Sequence, residues 1–192
     1  DDLMDEMAET AKRHTEELGK IEGFSRQQAL NLYEMLGLGA LKFFLLKVDP
    51  KKRMLFNPEE SIQFHGYTGP FVQYTHARIS AILRKADEEG VDTDQLNTSM
   101  LNTLPKTVEN VIMLLSQYEN TIRESALNYA PSSIAQYAYD LAKEYNRFYT
   151  EESIFGEKEE AMRIFKVAFS ALVAKTIGHA MRLLGIEVPD RM

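Results

Sequence analysis

Apolar residues recur along the chain at three- and four-residue steps, the spacing that gathers side chains on one face of an α-helix. Leu3, Met4, Met7, Ala8, Ala11 and Leu18 form the first such series and predict a helix over residues 3–18. A break from Gly19 to Gly23 follows. Ser25 and Gln28 then have the spacing of a capping box, in which each side chain satisfies a backbone N–H of the other residue. They open a second helix through Ala29, Leu32, Tyr33 and Leu36, which Gly37 and Gly39 are expected to loosen before the apolar run Leu41 to Leu46. Asp49-Pro50-Lys51-Lys52-Arg53 reads as a polar turn, and Met54-Leu55-Phe56 as a short apolar stretch suited to an extended segment. Asn57-Pro58-Glu59-Glu60 supplies an N-cap, a proline at the first helical position and acids in the first turn, where the helix dipole favours them.

The stretch from Gly66 to Pro70 is a further turn, with Pro70 fit to start a helix that Val72, Ala77, Ile79 and Leu83 carry to about Glu89, where Gly90 ends it. Residues 91–103 are polar and weakly periodic and are expected to connect two halves. Beyond Pro105 three long helices are predicted. The first runs through Val108, Val111, Ile112, Leu115 and Ile122. The second runs from Pro131 through Ile134, Ala138, Leu141 and Tyr145, and the third through Ile164, Phe165, Ala168, Leu172 and Leu183, capped by Gly185. No useful strand alternation occurs, so the expected fold class is all-α, a helical bundle with short loops.

Composition narrows the function classes. A chain of 192 residues can bury one substantial core or two small ones. The absence of cysteine excludes disulfides and thiolate metal sites, and fits a reducing compartment, with the cytoplasm as the expected location. No apolar run approaches the roughly 20 residues of a membrane span, and the acidic start is the reverse of a signal peptide, so no membrane partner is expected. The chain begins without methionine, directly inside a helical pattern, and so reads as a piece of a longer protein. Its net charge of −7 argues against a general nucleic-acid coat. Residues 102–192 carry 10 basic against 12 acidic side chains, and the front half 12 against 17, so any contact with phosphate is expected to be local and in the back half.

Candidate chemistry is sparse. His14, His65, His76 and His179 are too scattered for paired metal ligands, and no metal site is expected. The acidic clusters Glu59-Glu60, Glu151-Glu152 and Glu157 to Glu160 read as solvated carboxylates at loops and helix starts. There is no phosphate-binding glycine loop, nucleophile elbow or Ser/His/Asp order, hence no expected catalytic residue. Aromatic residues are dense around the penultimate helix. Of these, Leu141, Tyr145 and Phe148 keep the apolar face and are expected in the core, whereas Tyr149 lies at the helix end. There a ring can be offered to a splayed base, a stacking contribution of about 1–3 kcal/mol. The tail Pro189 to Met192 follows a capped helix and is expected to fray.

One stretch is distinctive. Gly66-Tyr67-Thr68-Gly69-Pro70-Phe71-Val72-Gln73-Tyr74-Thr75-His76-Ala77-Arg78-Ile79 resembles the Gly-Asn-Thr-Gly-Pro-Tyr-Leu-Gln-Tyr-Ala-His-Ala-Arg segment of arginyl-tRNA synthetases. Gly39-Ala40-Leu41-Lys42-Phe43-Phe44 is similar to that family's Gly-Ala-x-Arg/Lys-Tyr/Phe stretch. Met181-Arg182-Leu183-Leu184-Gly185-Ile186 through Arg191-Met192 is similar to its C-terminus. Tyr67 and Phe71 depart from the pattern, standing where asparagine and tyrosine are usual.

The resemblance implies a placement. These are class I enzymes whose two nucleotide-site motifs, His-Ile-Gly-His and Lys-Met-Ser-Lys-Ser in general form, lie in a Rossmann catalytic domain, and neither occurs here. It therefore implies a region following the catalytic domain, inactive alone and with no cofactor of its own, ATP belonging to the catalytic domain. The implied division is a helical connecting region over residues 1–101 and an anticodon-binding bundle over residues 102–192. The implied partners are an arginine tRNA and the catalytic domain of the same chain, with no DNA. Tyr74, Tyr149 and Met192 match positions that face the anticodon loop. Arg78, Lys143 and Arg147 are further candidates, chosen by charge and location for phosphate contact. Packing remains the alternative for Tyr74 and His76, and Gly69-Pro70 can simply turn the chain. A helical protein-interaction scaffold is the competing function class.

Overall fold

The computed structural model describes residues 2–19, 21–49, 51–101 and 103–192. Lys20 of the expected glycine break, Pro50 of the expected turn and Asn102 at the expected boundary lie outside them. Seven α-helices account for the described chain: α1 (Asp2–Glu17), α2 (Arg26–Leu46), α3 (Pro58–Ser61), α4 (Gly69–Glu88), α5 (Lys106–Leu127), α6 (Pro131–Glu151) and α7 (Glu160–Leu183). Two 3₁₀ turns, Thr93–Gln95 and Thr98–Met100, occupy the connection between α4 and α5. Among the described residues there is no strand, so the fold is all-α as expected, and Met54-Leu55-Phe56 is irregular, with Leu55 almost wholly exposed.

Helix ends form where local chemistry demands. The Ser25 hydroxyl accepts from the Gln28 N–H while the Gln28 amide accepts from the Ser25 N–H, so the expected capping box opens α2. Asn57 caps α3 and Thr68 caps α4, each followed by a proline in the first turn. At the end of α7 the Gly185 N–H donates to the Arg182 carbonyl and the Ile186 N–H to that of Met181, with Gly185 at φ +68. That pair of bonds is the Schellman arrangement, which a residue with a side chain resists at that φ.

Two apolar cores result. The smaller joins Met7 and Ala11 of α1 to Leu32, Leu36, Ala40 and Leu41 of α2 and to Ile62. The larger draws on both sides of residue 101, joining Phe43 of α2 and Val72, Ile79 and Ile82 of α4 to α5, α6 and α7. Leu141, Tyr145 and Phe148 are fully buried there, as their spacing predicted. Helix phase departs from expectation at the ends of two series. Leu3, Met4 and Leu18 of the first helical pattern are exposed, as are Leu172 and Leu183 of α7. The buried stripe of α7 instead runs through Val167, Phe169, Val173, Ile177 and Met181, packed between α4 and α6. Both α2 and α7 are long and apolar enough to cross a membrane, contrary to the expectation that no run is. Their apolar windows are 50% and 61% buried inside the fold, as in core helices that pack one broad face against their neighbours.

Gly37 and Gly39 do not loosen α2, which runs unbroken past them. They permit contact. A Cβ on Gly37 would stand 2.8 Å from backbone atoms of Met7 and Ala8 of α1. A Cβ on Gly39 would stand 2.5 Å from the Gln73 side chain, and one on Gly69 only 2.7 Å from the Gly39 carbonyl oxygen. Gln73, fully buried, uses the space so created: its amide donates to the Met35 carbonyl of α2 at 3.2 Å and to the Glu187 carbonyl of the C-terminal tail at 2.7 Å.

That tail is not frayed. Besides Glu187, the Pro189 carbonyl accepts from His76 Nδ1 at 3.0 Å and the Asp190 carbonyl from Arg84 at 2.9 Å. Arg191 donates to the Glu22 carbonyl at 3.1 Å and lies over the Phe24 ring. Pairing of each polar group with a specific side chain outweighs the entropy that normally releases a terminus.

Not all the acidic clusters are simply solvated. Lys166 of α7 is buried, only 3% exposed, and its ammonium donates to Glu152 Oε2 at 3.1 Å, the Ser153 carbonyl at 3.1 Å and Glu157 Oε2 at 2.9 Å. The hydrogen bond from Lys166 and those from the Glu159 and Lys158 N–H groups hold the Glu157 carboxyl below the usual carboxylate range.

Two outcomes follow. Gly37→Ala, which stabilises an ordinary helix interior, is expected to cost about 1–3 kcal/mol here by overpacking α1 against α2, seen as a lower midpoint of thermal unfolding by circular dichroism. Because the Glu157 carboxyl is held down in the folded state, its contribution is present above the unfolded carboxylate range and lost as pH falls through the lowered value. The difference in midpoint between the wild type and Glu157→Gln should therefore be greatest near neutrality and close in acid.

Candidate nucleic-acid interface

A side chain on α4 recurs on the same face at positions 74, 78, 81, 82 and 85, and that face forms one wall of a cleft of about 560 Å³. The end of α6 contributes Tyr149, the loop after it contributes Ser153, Ile154 and Phe155, and the C-terminal tail contributes Met192. Four of the six residues singled out in the sequence, Tyr74, Arg78, Tyr149 and Met192, thus meet in one place although up to 118 positions separate them in the chain.

Arg78 is the centre of that arrangement. Its guanidinium carbon lies 4.7 Å from the centroid of the Tyr74 ring and 5.1 Å from that of Tyr149, so one planar cation faces two aromatic rings. Arg78 also donates to the Asn146 side-chain oxygen, and Asn146 in turn donates to the Thr75 hydroxyl at 2.7 Å and to the Ala142 carbonyl at 2.9 Å. Thr75 completes the chain by donating to the Phe71 carbonyl at 2.9 Å. The arginine is therefore fixed by a polar network between α4 and α6, and its rotamer is selected before any ligand arrives.

The two tyrosines differ in situation. Tyr149 is 41% exposed and presents its ring to solvent at the helix end, as its position predicted. Tyr74 is half-buried and tilted against Phe64, whose ring stacks on His14 of α1, so Tyr74 both packs and lines the cleft. Met192 packs at the edge of the smaller core. His76 faces the tail rather than the cleft.

Lys143 and Arg147 do not join this group. Lys143 is exposed on the opposite flank of α6, beside Asn110, Met113 and Gln117 of α5. Arg147 is exposed and bonds Glu151 one turn on at 2.8 Å, a hydrogen-bonded ion pair that raises its pKa and so keeps the guanidinium charged. Helical phase separates them from the cleft: residues 143 and 147 fall one turn apart on a face that position 149 does not share.

Sequence reasoning missed other contributors. Arg84 and Lys85 line the cleft, and the Lys85 ammonium lies 4.3 Å from the centroid of Phe155. The signal was available in the spacing, since Arg78 and Lys85 are two helical turns apart. Phe155 gave none, because a loop residue has no periodicity to place it. With Arg78, Arg84 and Lys85 on one wall, the cleft is locally cationic within a chain of net charge −7. Its carboxylate neighbour Glu152 is taken up by Lys166. Planar cations, aromatic rings and apolar side chains lining one cleft suit an unstacked base with its phosphate.

Residues 72–192 match the DALR anticodon binding domain. Over all 192 residues the chain is 50% identical to an arginine–tRNA ligase of Phocaeicola vulgatus and 48% identical to one of Bacteroides thetaiotaomicron. It spans 32% of the length of each. Among solved structures, the arginyl-tRNA synthetase of Thermus thermophilus superposes with a TM-score of 0.81 at 28% identity, covering 98% of this chain and 32% of that one. The arginyl-tRNA synthetase of Plasmodium falciparum superposes with a TM-score of 0.84 over 100% of this chain and 33% of its own, at 22% identity, and supports the fold alone. The matched segment contains every cleft residue from Tyr74 to Met192, and the chain belongs to the DALR anticodon binding domain family.

Proposed function

We propose that this chain is the tRNA-binding portion of an arginine–tRNA ligase and that the cleft holds unstacked bases of the anticodon loop of an arginine tRNA. The observation that carries this reading is the Arg78 guanidinium within reach of the rings of both Tyr74 and Tyr149, in a cleft that Met192 also lines. Sequence-specific recognition of RNA works on exposed loop bases by stacking and edge contacts, and needs no basic surface overall. The family match and the names of the relatives support the same reading.

In this reading Tyr149 stacks on a splayed base and Arg78 supplies both a planar cation and hydrogen-bond donors. Tyr74 backs the arginine, and Met192 lines the cleft against a base. Arg84 and Lys85 neutralise phosphates at the mouth. Lys143 and Arg147, on other faces of α6, serve the flanking backbone rather than the bases. The contribution to catalysis is orientation, delivering the acceptor end of the tRNA to a catalytic domain in the remainder of a longer chain, where ATP and arginine bind.

The test is the affinity of the chain for an arginine tRNA and for a non-cognate tRNA at two salt concentrations. Cognate preference is expected, with log affinity falling by about 0.7 per phosphate contact for each unit of log salt. Tyr149→Ala should lose about 1–3 kcal/mol of cognate binding, whereas Lys143→Ala should reduce the salt slope and leave discrimination intact. Equal affinity for both tRNAs that Tyr149→Ala does not change, or no binding to either at low salt, would overturn the reading.

A further inference from the structure

The wall of the cleft formed by residues 153–155 is loop, and loops do not hold a shape by backbone periodicity. This one is held from behind. Lys166 lies on α7, outside the cleft lining, and all three of its ammonium hydrogens are used: Glu152 Oε2 at 3.1 Å, the Ser153 carbonyl at 3.1 Å and Glu157 Oε2 at 2.9 Å. The three acceptors come from both ends of the loop, so they converge on the ammonium only when the loop adopts this one path. Any other path strands a buried charge, which is far costlier than leaving a neutral side chain unpaired. The loop is tightened further by the Gly156 N–H donating to Ser153 Oγ at 3.0 Å, and by Glu157 Oε1 accepting from the Lys158 and Glu159 N–H groups. On that path Ile154 is buried and Phe155 lies under the Lys85 ammonium.

We propose that Lys166 is a positioning residue of the RNA-binding cleft: its ammonium, paired with Glu152 and Glu157, selects the loop conformation that sets Ile154 and Phe155 as a wall facing α4. The inference rests on the proposed RNA-binding function and extends it to a residue that touches no ligand. An apolar side chain at position 166 could fill the same space between α6 and α7, but it could not choose among loop paths. Charge there serves conformational selection in place of packing.

The experiment compares the wild-type chain with Lys166→Met, Lys166→Arg and Glu157→Gln. Amide hydrogen exchange over residues 152–157, and the affinity and dissociation rate for an arginine tRNA, are measured on each. In Lys166→Met the loop amides should exchange faster while α4 and α6 stay protected. If the competent loop conformation falls to about a tenth of the population, apparent affinity falls about tenfold. Lys166→Arg should recover most of both effects. The salt slope should match the wild type, because Lys166 meets no phosphate. Faster loop exchange with wild-type affinity would overturn the proposal, and so would an affinity loss accompanied by a smaller salt slope, which would mark a direct phosphate contact. Should Lys166→Met fail to fold, Glu157→Gln keeps the side chain's size, leaves Glu152 against the ammonium, alters no residue of the cleft lining and carries the same outcomes. Failure of the wild-type chain itself to bind the tRNA would instead remove the function on which the inference rests, and is read from the control alone.

Discussion

Helices α2 and α4 meet backbone to backbone, and everything that faces the cleft is measured from that contact. Gly39 and Gly69 leave no room between the two helices for even a methyl group, and the side-chain amide of Gln73 fills the seam, tying α4 to the Met35 carbonyl on one side and to the tail at Glu187 on the other. The separation of packed helices, about 8–10 Å between axes, follows the size of the side chains at the contact. Close approach here fixes the axial position and rotation of α4, and so decides which residues of its motif point inward. Val72 and Ile79 turn to the larger core, while Tyr74, Arg78 and Lys85 turn to the cleft.

The electrostatics of the cleft are built from rings more than from opposing charges. Arg78 faces two tyrosines and Lys85 a phenylalanine, and among the described residues only Lys85 of the two has a carboxylate beside it, Glu89 one turn on at 3.7 Å. Glu152, the carboxylate that could have quenched them, is engaged by Lys166. A strongly acidic protein thereby keeps a small cationic recess, shielded from its own negative surface by distance and solvent. Since Arg78 is already oriented by Asn146, most of the entropy of ordering it is spent during folding, not during association.

What the sequence revealed was chiefly local chemistry. Ser25 with Gln28, Asn57 with Pro58, Pro70 and Gly185 each announced a helix end, because a cap needs only residues within a few positions of itself. The fully buried Leu141, Tyr145 and Phe148 followed from period alone. Features decided by partners far along the chain were not legible. Gly37 and Gly39 look the same in sequence whether they weaken a helix or admit a neighbour. Leu172 and Leu183 fit an apolar period on α7, yet the packing of α4 and α6 chose a stripe beside them. Of the candidate site, Tyr74, Arg78, Tyr149 and Met192 came together, while Lys143 and Arg147 were separated by helical phase that charge alone cannot report. Phe155 and Lys166 were invisible, the one because it is in a loop, the other because a buried lysine in an apolar stripe resembles a solvated one until its partners are known.

The C-terminal tail is held in an unusual manner. Its carbonyls at Glu187, Pro189 and Asp190 are met by the side chains of Gln73, His76 and Arg84, not by another backbone. A backbone ladder repeats and tolerates sliding by whole steps, but three different side chains at three fixed places on one helix recognise a single alignment, as a key's unequal teeth do. Insertion of one residue between Glu187 and Met192 would advance the end of the chain by about 3.3 Å, leaving the donors on α4 facing the wrong atoms. The spacing between Gly185 and Met192 is thus a ruler laid along α4, and its length, more than the identity of the residues between, sets where Met192 enters the lining of the cleft.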